Sequence, residues 1–296
     1  MSKNFKVGID YGGTKIEGIL MDNEGNEILR KRSTYEKNYK SGIQTVSSLV
    51  EEFDKHTGTI NTVGVGIPGS SSKETGLIKN ANSIWLNDKP FKQDLENSLG
   101  RDIRLMNDAN CFALSESIDG SGRGYDSVWG VIIGSGFGGS FVYKNQVIEG
   151  VNQVAGDWGH QPLPYPNEEE QELGLKCEVG NCHRPLCAEQ FISGVGFTKL
   201  FNLKYGTNFR TREIVALEAN GDERAKKEFD LYEDRFARLI AIMIGIVDPD
   251  VIILGGGMSN IGRIYKNIPK ILPKYTFSDK IRNKILRNTH GDSSGV

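Results

Sequence analysis

The sequence lacks any long apolar run. No stretch approaches the roughly 20 consecutive apolar residues of a membrane-spanning helix, and the opening residues Met1-Ser-Lys-Asn-Phe-Lys6 lead straight into a strand without the apolar core of a secretion signal. The chain therefore reads as cytoplasmic, with no membrane partner. An excess of one charge is also missing: 36 Lys and Arg stand against 38 Asp and Glu, a net −2, which argues against nucleic acid as a partner. Cysteine is scarce, and four in 296 residues are too few for a disulfide scaffold. They are also unevenly placed. Cys111 stands alone in a helical stretch, whereas Cys177, Cys182 and Cys187 crowd into one turn-rich segment, a pattern that points to a metal.

Glycine is abundant, and its placement is the most informative feature. A strand-turn-strand unit occurs twice, once around Gly12 and Gly13 (residues 6–21) and again around Gly134-Ser-Gly136 (residues 129–143). Each copy runs through a polar turn into a further short strand. A duplicated hairpin of this kind predicts two related half-domains facing one another across a cleft, each offering backbone N–H groups to a phosphate. In the first copy, Asp10 ends an apolar strand while Thr14 and Lys15 follow the glycines, supplying a carboxylate for hydrated Mg²⁺ and polar groups for phosphate oxygens. The alternative for Lys15 is a solvated lysine on a hairpin. The spacing is not that of a P-loop, and no helix opens directly after the glycines, so the P-loop and dinucleotide-binding readings both fail.

The rest of the chain alternates strand and helix signals, which predicts an α/β fold. Apolar residues at helical period fill Ser41 to His56, with a serine able to cap the start. Thr62 to Ile67 reads as a buried strand, Phe91 to Leu99 as a helix, Ile103 to Met106 as a strand and Ala109 to Ser117 as a helix. The run Asp119-Gly-Ser-Gly-Arg-Gly124 breaks the composition and sets the expected boundary, with one domain over 1–120 and the other over 121–296. In the second half, helices are expected at Ala188 to Tyr205, Thr211 to Ala219 and from about Asp222 towards Ile246, where Asp248-Pro249 stops the last. The strand Asp250 to Leu254 then enters the triglycine Gly255 to Gly257. That connection either admits a flat ligand or phosphate to the backbone or is a plain tight turn.

Asp10-Tyr-Gly-Gly-Thr-Lys15, Gly66-Ile-Pro-Gly69, Asn107-Asp-Ala-Asn110, Gly134-Ser-Gly-Phe-Gly138, Gly156-Asp-Trp-Gly-His160, Cys187-Ala-Glu189, Val247-Asp-Pro-Asp250 and Gly255 to Gly257 occur in the order found in ROK-family sugar kinases. Nearly the whole chain resembles that family, and the stretches 79–87 and 290–296 look most like its bacterial fructokinase (mannokinase) branch. The resemblance implies a two-domain actin-like, ribonuclease H-like fold with the active site in an interdomain cleft, and the last residues returning towards the first domain. It also implies an ATP- and Mg²⁺-dependent phosphotransferase acting on the 6-hydroxyl of a free hexose. Fructose is the first expectation, with mannose or glucose next and an N-acetylhexosamine kinase as the alternative. A homodimer is implied as well.

Site residues follow from the same resemblance. Asp108 matches the catalytic base, although an aspartate opening a helix is also a good N-cap. Asp10 would hold Mg²⁺ through water, and Gly12, Gly13, Thr14, Lys15, Gly134, Ser135 and Gly136 would meet the phosphates of ATP. Gly255 and Gly256 would lie beneath the adenosine. Asn82, Asn107, Asp157, His160 and Glu189 match sugar-contact positions. Asp157 departs from the usual glutamate by one methylene, which bears on substrate preference.

The resemblance also implies structural Zn²⁺ held by one histidine and three cysteines. Gly180 stands where the first cysteine of the usual spacing belongs, so the implied set is His160, Cys177, Cys182 and Cys187, with His183 a substitute and a metal-free loop the alternative. Relatives carry a further helix past 290–296 that covers the first domain, and a weaker first domain is expected without it. Two non-enzymatic readings remain. A sugar-responsive regulator would need an N-terminal DNA-binding module ahead of the first hairpin, and a binding-only pseudokinase would fit the altered loop but not the retained Asp10 and Asp108.

Overall fold

The computed structural model describes residues 5–173 and 182–289, and they divide in sequence between Phe112 and Ala113 into two compact units. The division falls inside a helix, ahead of the 119–124 loop. The segment 290–296 lies outside the described residues.

In the first unit, β1 (Lys6–Tyr11), β2 (Lys15–Met21) and β3 (Glu27–Thr34) form an antiparallel meander, and β4 (Thr62–Ile67) and β7 (Ile103–Asn107) extend it in parallel, in the order β3-β2-β1-β4-β7. Between them, β5 (Ser70–Ser71) and β6 (Ile78–Lys79) make a small hairpin. Period-two burial puts Val7, Ile9 and Tyr11 of β1 and Val63, Val65 and Ile67 of β4 in the core. Helix α1 (Tyr39–Thr57) lays Val46, Leu49, Val50 and Phe53 on that core, and α2 (Phe91–Leu99) adds Phe91 and Leu95. The cap of α1 is Asn38, whose side chain accepts from the Ser41 N–H at 2.8 Å, so the helix opens before the serine that the periodicity favoured. Helix α3 (Asp108–Ile118) follows β7 with no intervening loop.

The second unit repeats the plan. Strands β8 (Ser127–Ile133), β9 (Phe137–Tyr143) and β10 (Gln146–Val147) are the antiparallel meander, and β11 (Val251–Gly255) and β12 (Lys284–Arg287) the parallel extension, in the order β10-β9-β8-β11-β12. Wholly buried β11 is the unbroken apolar run expected of a central parallel strand. Its helices are α4 (Glu168–Glu172), α5 (Glu189–Ile192), α6 (Gly194–Tyr205), α7 (Thr211–Ala219), α8 (Glu223–Val247) and α9 (Gly262–Ile271). Helix α8 is capped by Asp222 and ends at Asp248 in the left-handed region, ahead of Pro249. The helix expected over 188–205 is broken at Ser193, because that side chain accepts from the Gly196 N–H and restarts the chain as α6. The duplicated five-strand order is the actin-like, ribonuclease H-like α/β architecture.

Candidate active site

In the first unit, the turn between β1 and β2 carries Gly12, Gly13 and Thr14, with Thr14 and Lys15 exposed. Asp10 is half-buried at the end of β1, opposite Glu17 of β2, which is in turn opposite Arg32 of β3. Glu17 is 1% exposed and accepts from Arg30 at 2.6 Å and from Arg32. Desolvation and the neighbouring Glu17 push the Asp10 carboxyl up to about 6, against the opposing pull of Lys15 and Arg32.

Asp108 begins α3 directly beyond β7. Desolvation, with the Asp10 charge adding to it, pushes its carboxyl up to about 7, while the Ala109 N–H, which donates to Oδ1 at 2.8 Å, works the other way. The cap of α3 is Asn107. Its Oδ1 accepts from the N–H groups of Ala109 at 3.0 Å and Asn110 at 3.3 Å, and its Nδ2 donates to the Gly69 carbonyl at 3.0 Å. Asn107 thus spends its amide on the protein and leaves Asp108 free of most cap duty. Two carboxylates held above their usual proton affinity, with the Asp10 charge contributing to the rise of Asp108, fit a divalent cation, which would relieve both. Cys111, one turn along α3, is pushed up to about 12 by burial, Asp108 and Asp10, so its thiol stays protonated and inert. Asn82 is exposed on the loop after β6, whose shape Asn87 sets by bonding both the N–H and the carbonyl of Ala81.

In the second unit, the turn Gly134-Ser135-Gly136 is closed by the Gly134 N–H donating to the Gly136 carbonyl at 3.0 Å. The Gly194 N–H, at the start of α6, donates to the Gly134 carbonyl at 2.8 Å. That contact exists only because the chain breaks at Ser193, so the sequence reading of one continuous helix misses it. Gly256 has φ +77°, and a Cβ there would lie 2.6 Å from the Ile133 carbonyl, so the backbone after β11 sits flush on β8 beside this turn. The Glu189 carboxylate reaches the turn as well: Oε2 accepts from the Phe137 N–H at 3.0 Å, while Oε1 is buried without a hydrogen-bond partner. Burial raises the Glu189 carboxyl, Asp157 adds to the rise, and the Phe137 bond and His160 counter it.

Asp157, exposed, and His160 therefore stand near Glu189. The segment carrying them is pressed on β9. A Cβ on Gly159 would fall 1.8 Å from the Phe137 carbonyl, and Trp158 packs on Phe137 with ring centroids 4.9 Å apart.

His160 Nδ1 lies 3.6 Å from Cys187 Sγ, and Cys182 Sγ lies 3.9 Å from Cys187 Sγ. The three donor atoms lie within 4.8 Å of one another. A tetrahedral zinc with Zn–S of about 2.3 Å and Zn–N of about 2.0 Å sets edges of roughly 3.8 Å between sulfurs and 3.5 Å between sulfur and nitrogen, so these residues fit the ion. Cys177 lies outside the described residues, and His183 is not in the donor group found among them.

The segment leading into this loop is held by a feature the sequence reading missed. Glu170 is fully buried and accepts from Arg235 at 2.7 Å and from Arg238 at 2.7 and 3.0 Å, while Arg238 also donates to the carbonyls of Pro164 and Tyr165. The signal available was Asn167 three residues before Glu170, the capping box that the structure contains. On the far side of the loop, Pro162 bridges to Cys187.

Fold and site together define a two-domain actin-like α/β protein with a glycine phosphate turn in each half. The ROK family profile matches residues 6–296, and the chain belongs to the ROK family. It is 37% identical to the N-acetyl-D-glucosamine kinase of Vibrio cholerae across 98% of this chain and 96% of that protein. Among solved structures, the ROK hexokinase from Thermus thermophilus superposes with a TM-score of 0.85 at 24% identity, covering 98% of this chain and 95% of that one. A ROK family transcriptional regulator, a homologue of the E. coli MLC protein, superposes at 0.83 with 17% identity over 99% of this chain and 77% of that one. The fold therefore hosts both enzymes and regulators, and function has to be argued from the site. No helix among the described residues is long and apolar enough to cross a membrane.

Proposed function

We propose that this chain is an ATP-dependent sugar kinase that phosphorylates the 6-hydroxyl of an N-acetylhexosamine, N-acetyl-D-glucosamine first. The substrate rests on the N-acetyl-D-glucosamine kinase likeness, which favours the acetamido sugar over the fructose expected from the 79–87 and 290–296 stretches. Free hexose becomes the alternative. The observation that carries the reaction class is Asp108: a carboxyl pushed up to about 7, beside Asp10, with the adjacent Asn107 taking the cap role.

In the proposed step, the sugar O6 attacks the γ-phosphorus of ATP and the bond to the β,γ-bridging oxygen breaks. The O6 proton passes to Asp108, and ADP leaves with the bridging oxygen. A base whose pKa lies near the working pH balances the share of molecules that are unprotonated against the strength with which they take the proton. Gly12, Gly13, Thr14 and Lys15, with Gly134, Ser135 and Gly136, bind the triphosphate, and Gly255 and Gly256 lie against the adenosine. Asp10 would hold Mg²⁺, which would supply charge neutralisation on the phosphates. Asn82, Asp157, His160 and Glu189 take the sugar hydroxyls, and the free Oε1 of Glu189 is an acceptor awaiting such a donor. His160, Cys182 and Cys187, with Cys177 as fourth ligand, would hold zinc, which would brace the loop that ends at Glu189. The protein works in the cytoplasm as a homodimer.

The test is ADP release by purified protein with Mg-ATP and a panel of N-acetylglucosamine, N-acetylmannosamine, fructose, mannose and glucose. Turnover highest on N-acetylglucosamine is expected. Preference for fructose would return the substrate to the alternative, and no release on any sugar would remove the kinase reading.

A further inference from the structure

We propose that Tyr35 is a positioning residue that fixes the phosphate turn of the first unit and couples it to the loop carrying Asn82. The proposal rests on the kinase reading above. Tyr35 follows β3, and its hydroxyl donates to the Gly12 carbonyl at 2.9 Å. A trans peptide is planar, so its C=O and the following N–H point in opposite directions. Holding the Gly12 carbonyl towards the phenol therefore turns the Gly13 N–H away from it, as an anion donor with a set direction. The exposed turn needs such a device, because glycine otherwise leaves the peptide plane free to rotate.

The same phenol belongs to an aromatic group that reaches the sugar loop. The Tyr35 ring stands edge-on to Tyr11 at 5.4 Å and to Trp85 at 6.2 Å, and the Trp85 indole Nε1 donates to the Tyr11 hydroxyl at 3.2 Å. Tyr11 closes β1, immediately before Gly12, and Trp85 lies in the short helical turn Ile84–Leu86 just after Asn82. Between the two stands Ser83, whose buried Oγ makes no hydrogen bond of ordinary geometry, lies beside the Tyr35 phenol, and sits 3.6 Å from where a side chain on Gly13 would begin. Turn and loop thus meet through Tyr11, Tyr35, Ser83 and Trp85. A sugar that orders the loop orders the Gly12–Gly13 peptide with it, and sugar binding raises nucleotide affinity.

Tyr35→Phe keeps the ring and its packing and removes only the hydroxyl. Mg-ADP affinity is measured by equilibrium titration with and without saturating sugar, and KM for ATP and for sugar are measured by turnover. The variant is expected to bind Mg-ADP roughly 3- to 10-fold more weakly, the effect of one lost hydrogen bond, with sugar affinity titrated in the absence of nucleotide within about twofold of wild type and KM for sugar at saturating ATP raised by the factor of the lost coupling. The gain in Mg-ADP affinity that sugar gives wild type should disappear. Trp85→Phe, which leaves the Gly12 bond intact, should keep Mg-ADP affinity without sugar and lose the sugar-dependent gain. Tyr35→Phe binding Mg-ADP as wild type does, or wild type indifferent to sugar, overturns the proposal. The kinase reading is judged separately, on sugar-dependent ADP release by wild type, and Mg-ADP titration needs no turnover.

Discussion

The turn at Gly12–Gly13 lies among charges: Glu17, Lys15 and Arg32 act on Asp10, and Asp10 in turn acts on Asp108. The turn at Gly134–Gly136 occupies the equivalent place in a sheet of the same strand order, yet its surroundings are mainly backbone, with the Gly194 N–H, the Gly256 backbone and one carboxylate, Glu189, against it. The contrast teaches that a duplicated fold need not duplicate its chemistry. The first unit concentrates titratable groups with displaced proton affinities, as proton transfer and cation binding require. The second surrounds its turn mainly with backbone groups and carries a buried ion cluster of Glu170, Arg235 and Arg238 elsewhere in the same unit.

Four changes would break or sharpen this contrast. The largest effect is expected from Asp108→Asn, which should lower kcat by roughly 10²- to 10⁴-fold as a lost general base while leaving the fold intact. Its stability effect has a defined sign. The folded state holds the Asp108 proton more tightly than an unfolded chain with a carboxyl near 3.8, so stability declines as pH rises from about 4 through about 7. The variant removes that decline, by at most about 4 kcal/mol. It should therefore melt above wild type at pH 8 and together with it at pH 4, and equal melting at both would contradict the desolvated-acid account.

Glu170→Ala should be nearly as severe but confined to the second unit. It leaves Arg235 and Arg238 buried without their shared carboxylate, costing about 3–5 kcal/mol. Hydrogen exchange should show α4 and the start of the metal loop opening while β1 to β7 stay protected. Uniform loss across both units would show that the brace is not local.

Cys187→Ser should release bound zinc, measurable by elemental analysis, and raise KM for the sugar by about tenfold through Glu189 and His160, with KM for ATP changing less. Full zinc content in the variant would remove Cys187 from the ligand set.

The smallest effect is expected from Glu17→Gln. Glu17 helps hold the Asp10 carboxyl up near 6, so its loss should lower that value and let Mg²⁺ compete with protons at lower pH. Mg²⁺ titrations at pH 6 and pH 8 should differ less in the variant than in wild type. An unchanged difference would show that desolvation alone sets the Asp10 value.

Much of this was legible in the sequence for a physical reason: period-two burial, glycine pairs and the proline after Asp248 are local signals, so β1 to β4, α7 and α8 could be read directly. The duplicated turn gave the architecture, and the motif order gave the ROK resemblance. What escaped depends on partners far apart in sequence. Nothing near Ser193 announced that its hydroxyl would break a helix and present Gly194 to Gly134. Asn107 and Asp108 are both good caps, and only the structure shows that Asn107 serves. Glu170 stands in the run Glu168–Glu170, and what buries it, Arg235 and Arg238, lies more than 60 residues further along the chain. Short stretches at 79–87 and 290–296 carried the fructokinase reading, whereas relatives matched along nearly the whole chain are N-acetyl-D-glucosamine kinases.

The most direct test of the central claim is the pH dependence of kcat/KM for N-acetylglucosamine phosphorylation by wild type and Asp108→Asn. The account predicts a wild-type rate that climbs with pH and levels off above about 7, and a folded variant that has lost both the rate and that limb. A variant that keeps wild-type turnover and the same profile would contradict it.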